Sequence, residues 1–316
     1  AINTGYGADS SGSQAIAIDT DGDGRREVLV PGSGGYLHRL QGSPNGSYSY
    51  GSIGIVNPAP PGGMIAADID GDARDDLVYV KSGSGSIFWR RNLTSGSPSF
   101  AGEAVLWTAT SGWRLVSAPF VESEQRFRSI VRSGDFNGDG RTDLLVRAQL
   151  GLWCGKKCTN WVNRWLVLAS NGSALVQGYM LDGNTEALLA DFNGDSLSDI
   201  GYWNAYGQLE LLLGAGSRGT TLAGFAGPFQ TSAYMSSIGG RSMVVDWDAD
   251  GRADLLQPAS DGQMHFCRAA STTLEACQPS GIGHGSLSDA PITLDANGDG
   301  FPDLLLPGSS VNLHLH

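Results

Sequence analysis

The chain has 316 residues, of which 46 are glycine, with 41% hydrophobic residues, 16% charged residues and a formal net charge of −12. This composition is typical of a turn-rich all-β protein, and we expect almost no helix. The acidic balance argues against nucleic acid or an anionic membrane surface as a partner, because phosphate groups are bound by basic patches. No apolar run approaches the length of a membrane-spanning helix, so no membrane insertion is predicted.

An acidic motif is repeated six times, beginning at Asp19, Asp68, Asp135, Asp191, Asp246 and Asp295. Successive copies start 49 to 67 residues apart, which is about the length of one four-stranded propeller blade and is too long for most solenoid repeats. The repeat predicts an all-β, six-bladed β-propeller with four-stranded antiparallel blades. The chain is then a single domain over residues 1–316, with blades at about 8–57, 58–108, 124–182, 183–234, 235–282 and 283–316 plus 1–7.

Each repeat contains the same predicted elements in chain order. A short apolar run precedes the acidic motif and a second run follows it, so the motif is predicted to join the first two strands of a blade. A Gly/Ser turn leads to a third strand, such as residues 36–40, and a weaker fourth strand follows, as at residues 48–56 and 99–107. The last repeat ends after its third strand, and we expect residues 1–7 to supply the fourth and close the ring.

Two long connections carry aromatic and basic side chains that stand out in this acidic chain: the link at 108–128 and the third-repeat turn at 148–165. Long loops on a rigid scaffold often carry recognition, and Trp and Arg are common in binding hot spots. The alternative is that the tryptophans cover the core beneath the loops and the arginines are simply solvated. The predicted partner-binding residues in these connections are Trp113, Arg126, Arg128, Trp153, Trp161 and Arg164, and a second aromatic candidate near the fourth-repeat turn adds Trp203 and Tyr206.

Four cysteines fall into two close pairs, Cys154 with Cys158 and Cys267 with Cys277. Such pairing predicts disulfides in an oxidising compartment, and the second pair is placed across the hairpin of a third and fourth strand. A zinc site is the alternative, but it would have to unite segments more than a hundred residues apart. The N-terminal residues show no charged-then-apolar leader, so we expect a mature secreted chain or part of a larger secreted polypeptide.

The acidic motif itself predicts a cation-binding loop. With its first Asp as position 1, oxygen-bearing side chains stand at positions 1, 3, 5 and 9, and the backbone carbonyl at position 7 can add a ligand. This oxygen set suits Ca²⁺ better than Mg²⁺, and up to six ions are expected. The predicted ligands are Asp19, Asp21, Asp23, Arg25 and Glu27; Asp68, Asp70, Asp72, Arg74 and Asp76; Asp135, Asn137, Asp139, Arg141 and Asp143; Asp191, Asn193, Asp195, Leu197 and Asp199; Asp246, Asp248, Asp250, Arg252 and Asp254; and Asp295, Asn297, Asp299, Phe301 and Asp303.

The sequence argues against two other interpretations of the loops. An EF-hand needs a bidentate Glu at position 12, and none of the six copies has one. Metal-free surface turns also favour Asp, Asn and Gly, but they need only one or two such residues. Loops 2 and 4 are predicted to be weaker, because Ala73 and Ser196 stand where glycine would tolerate a positive φ.

These motifs, such as DFNGDGRTDLLV at 135–146, resemble the FG-GAP or VCBS repeats of the integrin-α propeller family, whose hallmark is D-x-D/N-x-D-x-x-x-D followed by an apolar strand. The resemblance covers the whole chain. It implies calcium between the first and second strands of each blade, with the loops on one face and partners on the other. The chain is also similar to propellers of Rhs and Tc-toxin shell proteins, secreted adhesins and calcium-containing fungal lectins. It departs from integrins in having six blades, not seven, and more calcium loops.

The function expected from these observations is an extracellular or cell-surface scaffold that mediates protein–protein contact or adhesion. A glycan-binding lectin is the first alternative, although the turns between second and third strands share no repeated aromatic or acidic pattern. No nucleophile elbow, phosphate loop or zinc motif is present, so the chain is predicted not to be an enzyme. A polysaccharide lyase is the second alternative, since a fold does not determine an activity.

Overall fold

The computed structural model describes residues 16–31, 36–42, 48–56, 64–80, 85–93, 99–110, 113–115, 131–151, 161–182, 187–216, 225–234, 242–284, 292–294, 301–306 and 312–314. Every regular element within these ranges is a β-strand. None of them contains a helix with the length and hydrophobicity needed to cross a membrane. The chain divides into two compact units, Ala1–Ser133 with Asp139–Asn184, and Gly134–Gly138 with Thr185–His316.

The first unit contains three antiparallel sheets, and each is formed by strands that follow one another in the chain. The first sheet consists of β1 (Ile16–Ile18), β2 (Glu27–Pro31), β3 (Tyr36–Gly42) and β4 (Tyr48–Val56). The second consists of β5 (Met64–Ala67), β6 (Asp76–Val80), β7 (Ser86–Arg90) and β8 (Ala104–Thr108). The third consists of β9 (Trp113–Leu115), β10 (Val131–Gly134), β11 (Asp143–Gly151), β12 (Trp161–Ser170) and β13 (Leu175–Asp182).

The second unit repeats this arrangement. Its first sheet is β14 (Ala187–Ala190), β15 (Asp199–Trp203), β16 (Gln208–Leu213) and β17 (Ala226–Tyr234). The next is β18 (Met243–Val245), β19 (Asp254–Pro258), β20 (Gln263–Cys267) and β23 (Gln278–Gly283), with a small hairpin of β21 (Ala269–Ala270) and β22 (Thr273–Leu274) inserted before β23. The last described sheet is β24 (Ile292–Leu294), β25 (Asp303–Leu306) and β26 (Asn312–His314).

The predicted blade architecture is confirmed, because the sheets are antiparallel and follow the order of strands in each repeat. Five sheets contain a path of four strands, whereas six such blades were predicted, and the sixth sheet has three described strands. The segment expected to complete it, residues 1–7, lies outside the described residues, so closure of the ring stays a prediction. The predicted fourth strand at residues 48–56 coincides with β4.

The second strand of a blade is its most buried element. All five residues of β6 and of β19 are buried, as expected for strands that are covered on both faces. In the first unit, Val78 and Leu144 belong to one apolar cluster, which also contains Trp89 and Trp107. In the second unit, Leu255 belongs to a similar cluster of its own. These buried second strands hold the acidic loops that precede them.

Two features of the sheets were not predicted. Part of the link at 108–128 forms β9, which pairs with the far half of β11, opposite Ala148, Gln149 and Leu150. The fifth blade contains the β21–β22 hairpin, in the segment between Cys267 and Cys277. These two cysteines are joined by a disulfide, which confirms the predicted connection between a third and a fourth strand. The other predicted pair, Cys154 and Cys158, lies outside the described residues.

Candidate metal loops

Each acidic loop joins the first strand of a blade to the second, and its first aspartate holds the turn together. In loops 1 to 4 the Oδ1 atom of this aspartate accepts a 2.7 Å hydrogen bond from the backbone N–H at position 4. In loops 1, 2, 4 and 5 the Oδ2 atom accepts a bond of 2.6–2.9 Å from the N–H at position 6. The loop is therefore shaped by local side-chain-to-backbone bonds.

The backbone of these loops needs left-handed residues, as expected from the glycines. Gly24 and Gly251 at position 6 have φ of 81° and 87°. Ala73 and Ser196 occupy position 6 in loops 2 and 4 with φ of 65° and 69°, which confirms the predicted strain at both sites. Loop 5 carries a third strained residue that was not predicted, because Ala249 at position 4 has φ of 55°.

The residue at position 7 pairs with the acid at position 5. Its backbone N–H donates to Oδ1 of that aspartate at 2.8–3.0 Å in loops 1 to 5. In loops 2, 3 and 5 the guanidinium group of Arg74, Arg141 or Arg252 also donates to Oδ2 of the same acid. The carbonyl-ligand role predicted for position 7 stays a prediction, and its side chain has a charge-pairing role that spacing alone did not indicate.

The acid at position 9 is buried and ties the loop to the sheet. Asp76, Asp143, Asp199, Asp254 and Asp303 have no exposed surface, and Glu27 is 4% exposed. In loops 2, 4 and 5 one carboxylate oxygen accepts the N–H of position 2 at 2.8–3.2 Å. The other oxygen accepts a 2.7 Å bond from a backbone N–H just after the third strand, and the same bond forms in loop 3. These acids hold three segments of the blade together, whether or not they bind a metal.

Burial also changes the acidity of position 9. Desolvation raises the pKa of Asp76 to about 8, although hydrogen bonds from Asn92 and Ile69 oppose the shift. The pKa values of Asp199 and Asp254 are raised to about 6, again chiefly by burial. Neighbouring loop acids add to each shift by charge repulsion. A nearby cation would favour the ionised form of all three.

Three of the loops bring acidic oxygens together closely enough to hold one cation. Within the described part of the chain, one ligand atom from each residue lies within 4.8 Å of the others in three groups: Asp19, Asp21 and Asp23; Asp68, Asp70 and Asp76; and Asp246, Asp248 and Asp250. In loop 2, Oδ1 of the buried Asp70 carboxylate has no hydrogen-bond partner, and Oδ2 contacts Nε of Arg91 in an ion pair. Buried carboxylates are ordinarily hydrogen-bonded or coordinated, so the residues present fit a hard cation. In the sixth loop, Asp295, Asn297 and Asp299 lie outside the described residues.

Consecutive loops are joined by a repeated backbone hydrogen bond. The N–H at position 8 of one loop donates to the carbonyl oxygen at position 1 of the preceding loop, at 2.6–2.7 Å. The donors are Asp75, Thr142, Ser198 and Ala253, and the acceptors are Asp19, Asp68, Asp135 and Asp191. In the first unit, side chains add to this link, because Asn92 Nδ2 and Ser170 Oγ donate to the carbonyl at position 2 of the preceding loop.

The glycine at position 4 allows the next loop to approach. A Cβ atom added to Gly71 would lie 2.9 Å from Cγ of Arg141, and one added to Gly194 would lie 3.2 Å from Cγ of Arg252. In both pairs the arginine occupies position 7 of the following loop. In loops 2 and 4, glycine at position 4 is therefore favoured for two reasons, its left-handed backbone and the side chain packed against it.

The predicted partner-binding residues that the structure describes lie in different environments. Trp203 is 6% exposed and lies in an apolar cluster, so its assignment to a binding surface is wrong: it is a core residue of β15. Trp113 in β9 is half-buried against the core of its unit. Half-buried Arg164 donates to the Asn163 carbonyl oxygen at 3.0 Å. The remaining assignments at Arg126, Arg128 and Trp153 lie outside the described residues, as does the side chain of Trp161.

Tyr206 differs from the other predicted contact residues, because it is 88% exposed. It stands in the turn between β15 and β16, where the Oδ1 atom of Asn204 accepts the N–H groups of Tyr206 and Gln208 at 2.9 and 3.1 Å. Asn204 is itself fixed by a 2.8 Å bond from Nδ2 to Oε1 of Glu210. The turn thus displays an aromatic side chain on a braced backbone.

Three solved structures that match this chain share 10–14% of their sequence with it. The complex of BBS1N with ARL6DN matches in a lead-soaked crystal with 12% identity and a TM-score of 0.45, covering 95% of this chain and 78% of that one. The mercury-soaked crystal matches with 10% identity and a TM-score of 0.37, covering 95% and 91%. The V. cholerae biofilm matrix protein Bap1 matches with 14% identity and a TM-score of 0.23, covering 96% and 58%. No curated protein matches the chain in sequence.

A family model described as an FG-GAP-like repeat matches residues 19–79 and 68–146. The matched stretches contain the first three acidic loops; they begin after β1 and end within β11. The later loops have the same spacing of acids, and loops 4 and 5 also form the hydrogen bonds at positions 1, 5 and 9. Residues 19–146 thus carry FG-GAP-like repeats, and the four-stranded antiparallel sheets have the strand order of β-propeller blades.

Proposed function

We propose that this chain is a calcium-stabilised extracellular scaffold that mediates protein–protein contact or adhesion and is not an enzyme. The observation that carries the calcium part is loop 2, where Asp68, Asp70 and Asp76 converge within 4.8 Å and Oδ1 of the buried Asp70 carboxylate has no hydrogen-bond partner. In loops 1 and 5 the acids at positions 1, 3 and 5 converge within the same distance. The acids at positions 1, 3 and 5 would hold the ion, and position 9 would contribute where it faces the same centre, as in loop 2.

Charge supports the same proposal. The chain has a formal net charge of −12, and its acids are concentrated in six loops. Several carboxylates within a few ångströms of one another repel unless a cation is present. When bound, Ca²⁺ supplies this positive charge and joins positions along the loop. Metal binding is then coupled to stability, because the unfolded chain has no preformed site.

The experiment for calcium is a comparison of thermal unfolding in calcium and in EDTA, with elemental analysis of the purified protein. At free calcium one hundred times the dissociation constant, each occupied site adds about 2.7 kcal/mol to the free energy of unfolding. We expect a large fall of the melting temperature in EDTA and its recovery with Ca²⁺. An unchanged melting temperature together with a calcium-free protein would contradict the proposal.

The extracellular assignment is supported by the disulfide between Cys267 and Cys277, because such bonds persist in oxidising compartments. A thiol titration of the unfolded protein, purified without reductant from its natural source, measures directly whether Cys267 and Cys277 are oxidised. We expect no free thiol from these two cysteines. Two reactive thiols that peptide mapping assigns to this pair would argue for a reducing compartment.

Tyr206 supports the partner-binding part of the proposal, because a rigidly displayed aromatic side chain gives contact area at little entropic cost. The competing functions are tested with the calcium-loaded protein on a glycan array, alongside an assay for unsaturated uronic acids released from acidic polysaccharides. We expect neither specific glycan binding nor product. Specific hits that Tyr206→Ala abolishes would favour a lectin, and product formation would favour a lyase.

A further inference from the structure

Strand register places one residue at the end of each third strand opposite the acid at position 9. This residue is polar or cationic in some blades and apolar in others, which divides the loops into two classes. Leu77 pairs with Arg90 and Leu255 with Cys267, so one residue further along Asp76 faces Arg91 and Asp254 faces Arg268. The same register places Gln41 opposite Glu27, since Val28 pairs with Leu40. In blades 3 and 4 the opposite residues are apolar, Ala169 and Leu213.

The residue opposite position 9 varies together with the residue at position 3 of the loop. Where position 3 is Asp, in loops 1, 2 and 5, the opposite residue is Gln41, Arg91 or Arg268. Where position 3 is Asn, in loops 3 and 4, the opposite residue is Ala169 or Leu213, and the sequence of the sixth repeat has the same combination in Asn297 and Leu315. A fourth acid in the loop therefore occurs only together with a polar or cationic residue at this strand position.

The side chains show why the two positions vary together. Arg91 forms an ion pair with Asp70 through Nε and Oδ2. Arg268 contacts Asp248 Oδ2 through Nε at 2.7 Å, and its Nη2 atom is 3.3 Å from Asp250 Oδ2. Gln41 occupies the equivalent place in loop 1, where its neutral Nε2 atom is 3.5 Å from Asp21 Oδ2. Loops 2 and 5 thus have a guanidinium group on the acid at position 3, whereas the equivalent contact in loop 1 comes from a neutral amide.

We propose that Arg91 and Arg268 are internal counter-ions that compete with the bound cation for the acid at position 3 of loops 2 and 5. The inference rests on the proposed calcium function and deepens it. A guanidinium group on this acid stabilises the empty loop and repels an entering divalent ion. Loop 1, with four acids and a neutral glutamine, is then the tightest site, and loops 2 and 5 fill only at higher calcium concentration.

The exposure of the paired acid and arginine side chains determines how strongly the arginines change the calcium dissociation constant. The Asp70 side chain is 6% exposed, and it has no hydrogen-bond partner besides its ion pair with Arg91. The arginine side chains are about half exposed, at 49% for Arg91 and 46% for Arg268, so solvent weakens their charge. A unit charge next to a divalent ion in largely aqueous surroundings changes the dissociation constant by about tenfold. A calcium titration should therefore distinguish loop 1 from loops 2 and 5 by their dissociation constants.

The experiment compares Arg91→Gln, Arg268→Gln and the reverse variant Gln41→Arg with the unaltered full chain. Arg164→Gln is the control, because it removes the same charge from a residue within β12, where the guanidinium donates to the Asn163 carbonyl oxygen. Calcium binding is followed by calorimetry, and bound calcium is counted after equilibrium dialysis at low free calcium. Thermal unfolding in EDTA gives a second readout that does not depend on loading.

Each Arg→Gln variant should tighten one site by about tenfold and lower the melting temperature in EDTA, since an acid loses its counter-ion. Gln41→Arg should weaken the tightest site by a similar factor and raise the melting temperature in EDTA. If the unaltered protein binds no calcium, the proposed function fails. If it binds calcium but the three variants titrate like the control, the counter-ion proposal is overturned and the calcium function stands.

Discussion

The acids of one loop have different environments, although each carries the same carboxylate group. Position 1 uses both oxygens to accept backbone N–H groups of its own turn, as Asp68 does from Gly71 and Ala73. Position 9 is buried in the sheet, as Asp76 is between Ile69 and Asn92. The acid at position 3 accepts the fewest hydrogen bonds from its own loop. Its negative charge therefore depends most on a cation or side chain from outside the loop.

A first prediction concerns the backbone strain at position 6. Ala73→Gly should raise the free energy of unfolding by about 1 kcal/mol, because glycine adopts a positive φ without the clash of a Cβ atom. Gly24→Ala is the matched opposite, since φ is 81° there and an added Cβ has no neighbour within 4 Å. It should be destabilising by a similar amount. Chemical denaturation of both variants in calcium measures the effect, and a destabilised Ala73→Gly variant would refute the interpretation.

A second prediction concerns pH in the absence of calcium. The folded pKa of Asp76 is raised to about 8 and those of Asp199 and Asp254 to about 6, whereas unfolded aspartates titrate near 4. Between about pH 4 and 8 the folded state therefore binds more protons, and the free energy of unfolding falls as pH rises. Thermal melts of calcium-free protein at pH 5 to 8 should show a declining melting temperature. Asp76→Asn should flatten the decline above pH 6, and a rising profile would contradict this account.

At the level of strands, the acidic loops are positioned by the most buried segments of each blade. Both faces of β6 and β19 are covered, and position 9 is the first residue of each of these strands. A change at position 9 is thus transmitted into the core, whereas a change at position 3 affects the loop and, in loops 2 and 5, the arginine paired with it. This difference makes position 3 the better place to study cation binding without unfolding the blade.

A third prediction concerns the disulfide of the fifth blade. The bond between Cys267 and Cys277 closes a segment with a sequence separation of 10, which contains the β21–β22 hairpin. Replacing both cysteines by alanine should lower the free energy of unfolding by about 3 kcal/mol, mainly by freeing the unfolded chain. The unaltered protein in reductant should show a similar loss. Equal stability of the oxidised protein and the double variant would contradict the expectation.

The elements that the sequence predicted best are those that follow a repeated pattern. The apolar runs on either side of each acidic motif became first and second strands, and residues 48–56 became β4. The β9 strand could not be predicted, because three residues pair with a neighbour only through the extra length of β11. Trp203 was assigned to a surface because it precedes a turn, but it ends a buried strand, and strand register decides which way it faces.

The roles of side chains within the loops were harder to predict than the loops themselves. Spacing indicated the candidate ligands, and glycine placement correctly indicated strain at Ala73 and Ser196. It did not indicate Arg91 or Arg268, since these residues are distant in the chain and reach the loop only through strand pairing. Those contacts could have been found by aligning the repeats on their third strands as well as on their acids.

At the scale of the whole molecule, the bond from position 8 to the preceding position 1 makes neighbouring repeats depend on one another. A fourth prediction uses Ala253, whose N–H donates to the Asp191 carbonyl oxygen at 2.7 Å. The sixth repeat has Pro302 at this position, which shows that proline is accepted there in one natural loop. Ala253→Pro should therefore mainly remove the hydrogen bond and lower the free energy of unfolding by about 1–3 kcal/mol.

The control for this substitution is Ala253→Ser, which changes the side chain but retains the N–H group. Both variants are compared with the unaltered protein by chemical denaturation in calcium. Hydrogen exchange of the Ser198 amide, which makes the equivalent bond to Asp135, shows whether the loss stays local. If the proline variant is no less stable than the serine variant, the bond contributes nothing measurable.

The direction of this bond bears on how the protein is made. In each observed link the earlier repeat supplies the carbonyl oxygen and the later repeat supplies the N–H. If one repeat folds before the next has been synthesised, its carbonyl stays open to water until then, and an unpaired carbonyl is better tolerated than an unpaired amide. The next repeat then supplies the donor. Pro302 has no N–H, so the sixth repeat cannot donate this bond to the carbonyl oxygen of Asp246.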